Sequence, residues 1–129
     1  MSSATSTTYP DFVSAKITVV VREPGSKAVV REIEATLAAQ QAVVGGYIEL
    51  LQQVHACCDD GAVLNVIANE DGHEEGLSPN VYLRDDMVLV GTLLAVKAID
   101  GTEVSLTGDE IERVRQLVDS FRVAAPMDN

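Results

Sequence analysis

Three stretches of the chain carry residue types that could do chemistry. The first is His55-Ala56-Cys57-Cys58-Asp59-Asp60, which offers three kinds of metal ligand in a row. A structural zinc site uses cysteines separated by two to four residues and four ligands in all. Adjacent cysteines do not fit that spacing, and His73 is the only other histidine. A cysteine nucleophile needs a partner base and a positive setting, and two neighbouring aspartates push a thiol the opposite way. The expected arrangement is a hairpin loop with one or both thiols partly buried. The second stretch, Asn69 to Glu75, suggests calcium by its acids. A calcium loop needs acids at alternate positions before its glycine and a glutamate six residues after it. Counted from Gly72, those outer positions hold Ile67 and Ser78, so the pattern fails. The third is a polar set, Tyr47, Glu49, Asn69 and Asn80, expected to gather beside a hairpin as a small-ligand patch. No phosphate loop, nucleophile elbow or His-containing triad order is present, so the chain reads as non-catalytic, with neither cofactor nor metal.

Charge narrows the partners. The net charge is −11 over 129 residues, which repels nucleic acid and anionic membranes and favours basic proteins. Aromatic residues are 4% with no Trp, too few for a single-strand stacking platform. The nine basic residues do not cluster, which argues against direct nucleic-acid binding. From His55 to Asp86 there are eight acids and one base, Arg84. Within that segment Asp59, Asp60, Glu70, Asp71, Glu74 and Glu75 form the expected protein-docking surface. The two aspartate-rich ends lie about 23 Å apart if one strand joins them at ~3.3 Å per residue. They would therefore make two ends of a strip and not one metal site. No apolar run is long enough to span a membrane. The N-terminus lacks a basic start followed by an apolar run, and adjacent cysteines are not a secreted disulfide framework. A reducing cytoplasm is the expected setting.

These residues need elements to hold them. Met1 to Pro10 is Ser/Thr-rich without apolar period, and residues 1–12 are expected as a disordered tail. Ile17, Val19 and Val21 alternate as in a strand, and Glu23-Pro24-Gly25-Ser26 is turn chemistry before a second strand over 28–33. Thr36 can cap a short Ala-rich helix over 37–44, which stops at Gly45-Gly46. That glycine pair is expected to be a structural turn, because a helix C-terminus is a poor phosphate cradle. Strands are predicted at 47–54 and 62–68, with Tyr47 opposite Asn69, Glu49 opposite Ile67 and Leu51 opposite Asn65. This register puts Glu49 and Asn69 on one face. The run 87–98 is predicted as a central strand interrupted at Gly91 by a bulge or a close backbone approach. Asp100-Gly101 signals a tight turn into a short strand at 102–105. Thr107 and Glu110 fit a capping box opening a helix over 108–122, with Ile111, Val114, Leu117, Val118 and Phe121 as its apolar stripe.

The motifs Val44-Gly45-Gly46-Tyr47-Ile48-Glu49, Asn69-Glu70 with Gly72, Gly76-Leu77 followed by Pro79-Asn80, Val90-Gly91-Thr92, and Leu106-Thr107 with Asp109-Glu110-Ile111 occur in this order. In order and spacing they resemble the family called domain of unknown function 3846, over about Ile17 to Leu117. The resemblance implies a phage or plasmid setting and carries no established activity. The expected fold is α+β: a mostly antiparallel sheet of five or six strands, one short helix, and a C-terminal helix on a sheet face. It would form a single domain over 13–123 with a tail at 124–129. The expected function is a cytoplasmic accessory protein that binds a basic host or phage protein. The alternatives are a small-molecule or nucleotide binder and an acidic DNA mimic. An unpaired strand in so small a sheet would also permit a homo-oligomer.

Overall fold

In the computed structural model, which describes residues 15–55, 57, 58 and 60–124, eight strands and two helices follow one another. They are β1 (Lys16–Arg22), β2 (Val29–Glu34), α1 (Leu37–Val44), β3 (Ile48–Val54), β4 (Val63–Asn69), β5 (Pro79–Tyr82), β6 (Val88–Val90), β7 (Leu93–Ile99), β8 (Thr102–Val104) and α2 (Gly108–Ser120). A 3₁₀ turn at Arg84–Asp86 joins β5 to β6. The expected tail at 1–12, Asp59, and residues 125–129 lie outside the described residues.

The main sheet runs β2-β1-β7-β4-β3, with β8 paired to the far end of β7. Every ladder is antiparallel. The fold is therefore α+β, with a six-stranded antiparallel sheet. β7 lies at its centre and is buried on both faces from Leu93 to Ala98, which is why its sequence is almost continuously apolar. Val19, Val21, Ile67, Leu94 and Val96 point to the α1 face, with Val44 of the helix among them. Val20, Leu64, Val66, Leu93 and Ala95 point to the α2 face, where Val114 and Val118 meet them. Each fully buried valine contributes about 1.5–3 kcal/mol. Ile111, Leu117 and Phe121 flank that contact, so the predicted stripe does cover a sheet face. Arg22 anchors the other end of α2, its Nη1 donating to the Val118 carbonyl at 2.9 Å.

The apolar run at 87–98 is two strands and not one. Gly91, at φ +78°, ends β6 and turns the chain into β7. β6 leaves the main sheet to pair with β5. A side chain at Gly91 would meet Leu77 Cδ1 at 2.7 Å, so the expected close approach is present as well. After β7, Asp100 (φ 51°) and Gly101 (φ 82°) make the predicted tight turn into β8. Beyond α2, Val123 bridges to Val81, and the buried Ala124 donates its N–H to the Asn80 carbonyl at 3.0 Å.

Candidate functional site

The end of α1 and the start of the acidic loop are built together. Thr36 caps the helix, its Oγ1 accepting from the Ala39 N–H at 3.1 Å. Gly45, at φ 82°, closes it in the left-handed region, where any other residue would be strained. Gly45 and Gly46 both donate to the Gln41 carbonyl, at 2.8 and 3.1 Å. A side chain at Gly46 would come within 2.9 Å of Asn69 Nδ2, so this glycine makes room for an amide. Buried Asn69 then links the two segments. Its Nδ2 donates to the Val44 carbonyl at 3.3 Å and approaches Glu75 Oε1 at 3.4 Å. Its Oδ1 accepts from the Asp71 N–H at 2.8 Å. The expected turn at Gly45-Gly46 is thus structural, and Asn69 shapes the loop from inside.

What this leaves on the surface is a groove of about 400 Å³ between α1 and the loop. Ala38 and Ala42 line it on the helix side, Tyr47 forms a wall, and Asp71 and Glu75 lie on the loop side. Tyr47 is 67% exposed, unusually open for so large an aromatic. Glu70, Glu74 and Glu75 are exposed and Asp71 is half-buried. Among the described residues none of these four acids forms an ion pair.

The expected polar patch does not form as drawn. Asn69 stands opposite Ile48, and Glu49 opposite Ala68, one residue away from the predicted register. Because side chains alternate along a strand, that single step puts Glu49 and Asn69 on opposite faces. A bulge between Leu50 and Gln52 shifts the ladder again, so Gln52 faces Val66. Glu49 and Asn69 still border one cavity of about 210 Å³ with Glu70, His73 and Met87, but not as same-face neighbours. Tyr47 belongs to the groove instead. Asn80 belongs to neither: it is buried, and its Nδ2 donates to the Arg22 and Gly91 carbonyls at 2.8 and 2.9 Å. It pins the β6–β7 turn to the end of β1.

Residues 17–119 match the family described as Domain of unknown function (DUF3846). The chain belongs to this family. No curated protein and no solved structure matches it. The matched span takes in the groove, the acidic loop and Asn80, and most of α2.

The other acidic end of this DUF3846 chain has a different duty. Asp60 Oδ2 lies 2.9 Å from Lys97 Nζ, and both carboxylate oxygens of Glu110 lie 2.9 Å from the same nitrogen. Lys97 and Glu110 are buried and Asp60 is half-exposed. Burial pushes Lys97 toward losing its proton, yet the hydrogen bonds it donates to Asp60 and Glu110, with their charges, outweigh it and its pKa rises. The hydrogen bond from Lys97 holds Asp60 below the usual carboxylate range. Burial pushes Glu110 up, and the Thr107 N–H together with Lys97 more than reverses this. Asp60 is therefore ion-paired to Lys97 while half of its side chain stays exposed. Sequence reasoning missed this triad, although Lys97 is the one charge in the long apolar run. Cys57 and Cys58, expected as thiols in the β3–β4 loop, are buried and disulfide-bonded to each other. The loop folds over the α2-side core and places both sulfurs there. Arg113 Nη1 donates to the Cys57 carbonyl at 2.9 Å. Among the described residues no three His, Cys, Asp or Glu side chains converge as a metal site would require, and no helix is long and apolar enough to cross a membrane.

Proposed function

We propose that this protein is a non-catalytic accessory protein of a phage or plasmid that binds a basic surface on a host or phage protein. The observation that carries the reading is the loop Glu70–Glu75. Its four acids have no cationic partner among the described residues, and two of them, Asp71 and Glu75, line a groove with the exposed Tyr47. A folded protein ordinarily pairs or disperses such charges, and unpaired surface acids beside an aromatic suit a partner's cations. The mobile-element setting comes from the family resemblance. The docking surface is narrower than the sequence suggested: it centres on Glu70, Asp71, Glu74 and Glu75, because Asp60 is committed to Lys97.

The test is kinetic. A partner captured from the native host is titrated against wild type and against the variant carrying Glu70→Gln, Asp71→Asn, Glu74→Gln and Glu75→Gln. Long-range attraction raises association rates and is screened by salt. The variant should associate about tenfold more slowly at low salt, with a flatter salt dependence. A wild-type rate that ignores salt and survives the four changes would overturn the reading. Release of DNA from the partner on binding would favour the DNA-mimic version.

A further inference from the structure

We propose that the Tyr47 groove is a receptor for a single arginine side chain of the partner. The inference rests on the docking function above and names the group that is recognised. The protein itself displays the recognition unit elsewhere. Arg122 lies over the ring of Tyr82, 3.8 Å from its centroid, and its Nη2 donates to Asp86 Oδ1 at 2.7 Å. That unit is an aromatic plate with a carboxylate at its edge, filled by a guanidinium. The groove is lined by the same residue types: Tyr47 as the aromatic, with Asp71 and Glu75 as the carboxylates.

The shape suits arginine in other respects. Ala38 and Ala42 line one side with small apolar groups, over which a long aliphatic stem can lie while its charged head reaches the acids. Gly46 also lines the groove, so no side chain narrows it at that point. The C-terminal end of α1 carries partial negative charge and meets the groove where Gly45 closes the helix. A guanidinium stacks flat on an aromatic face and forms two parallel bonds to a carboxylate, whereas an ammonium is a point charge that does neither. Arginine is therefore preferred over lysine. A neutral urea of the same shape keeps the stacking and loses the ion pairs.

The experiment uses the full chain and three capped tripeptides, Gly-Arg-Gly, Gly-Lys-Gly and Gly-citrulline-Gly, followed by amide chemical shifts. The arginine peptide should move Gly46, Tyr47, Asp71 and Glu75 in a saturable way. The citrulline peptide should bind about tenfold more weakly. Tyr47→Leu should weaken the arginine peptide about threefold, and Asp71→Asn with Glu75→Gln about tenfold. Glu70→Gln with Glu74→Gln, outside the groove, should weaken the arginine peptide less than the Asp71 and Glu75 changes do, while still slowing capture of the protein partner. Shifts spread over other surfaces, or equal binding of arginine and citrulline peptides, would overturn the proposal. If the arginine peptide fails but partner capture still depends on salt and on the loop, the groove assignment falls and the docking function stands. If the peptide binds and partner capture ignores the loop, the docking function falls and the groove stands.

Discussion

Lys97 shows how one residue can dictate the duty of others. An ammonium buried in the α2-side face needs anions near it, and Asp60 and Glu110 supply them from a loop and a helix start. Truncating Lys97 would leave Glu110 buried and unpaired. Lys97→Ala should destabilise by about 3 kcal/mol, read as a shift in urea midpoint at neutral pH. The double change Lys97→Met with Glu110→Gln should be milder than Lys97→Ala. It removes both buried charges, and Gln can still accept the Thr107 N–H at the helix start. A double variant as unstable as Lys97→Ala would show that the ion pair is not the source of the loss. Asp60 explains why docking variants must spare it: neutralising it would weaken the fold and confuse any binding result.

At the scale of elements, the junction of α1 with β3 depends on two glycines for different reasons. Gly45 needs its left-handed backbone, and nothing lies where its side chain would be. Gly46 needs space against buried Asn69. Gly45→Ala should therefore cost about 1 kcal/mol through backbone strain alone. Gly46→Ala should cost at least as much and also disturb the acidic loop, because Asn69 holds Asp71 in place. Thermal melts give the first comparison, and amide exchange of Asp71 and Gly72 gives the second. Equal melting temperatures for wild type and both variants would contradict this account. The hairpin that follows shows the sensitivity of strands: a one-residue step separated Glu49 from Asn69, whereas the helix boundaries matched expectation closely.

Across the whole molecule, the strand order leaves β2 and β3 at the edges of the main sheet, and β3 continues directly from the groove wall at Tyr47. The titratable triad sets how stability responds to pH. Asp60 and Glu110 are depressed, so their contribution is present above the ordinary carboxylate range and is lost as pH falls through their lowered values. Lys97 is raised, so its contribution is present below the ordinary lysine value and is lost as pH rises through the raised one. Stability from the triad should be flat through neutrality and should fall in acid below about pH 4 and again in strong alkali. Urea midpoints measured from acid to alkali would show both limbs in wild type. The double variant Lys97→Met with Glu110→Gln should lose most of each limb. An unchanged profile in that variant would assign the pH response to other groups.

By itself the sequence determined the local features. Thr36 and Gly45 bound the short helix, Glu110 reaches back to Thr107, Asp100-Gly101 turns the chain, and Val114 and Val118 face the sheet. Each depends on residues within a few positions of one another, where capping, turn geometry and helical period act directly. The sheet as an α+β antiparallel assembly was legible too, from alternating strands with short connections. Tertiary structure decided the rest. Pairing register depends on contacts from both faces, and a period of two turns a one-residue error into the opposite face; Glu49 and Asn69 were separated that way. Gly91 reads alike as a bulge or a strand end until its neighbours choose. Asp59-Asp60 and Glu70-Asp71 look equivalent as acid pairs. Only the approach of Lys97 from a distant strand pairs Asp60, while the loop after Asn69 stays outward beside Tyr47.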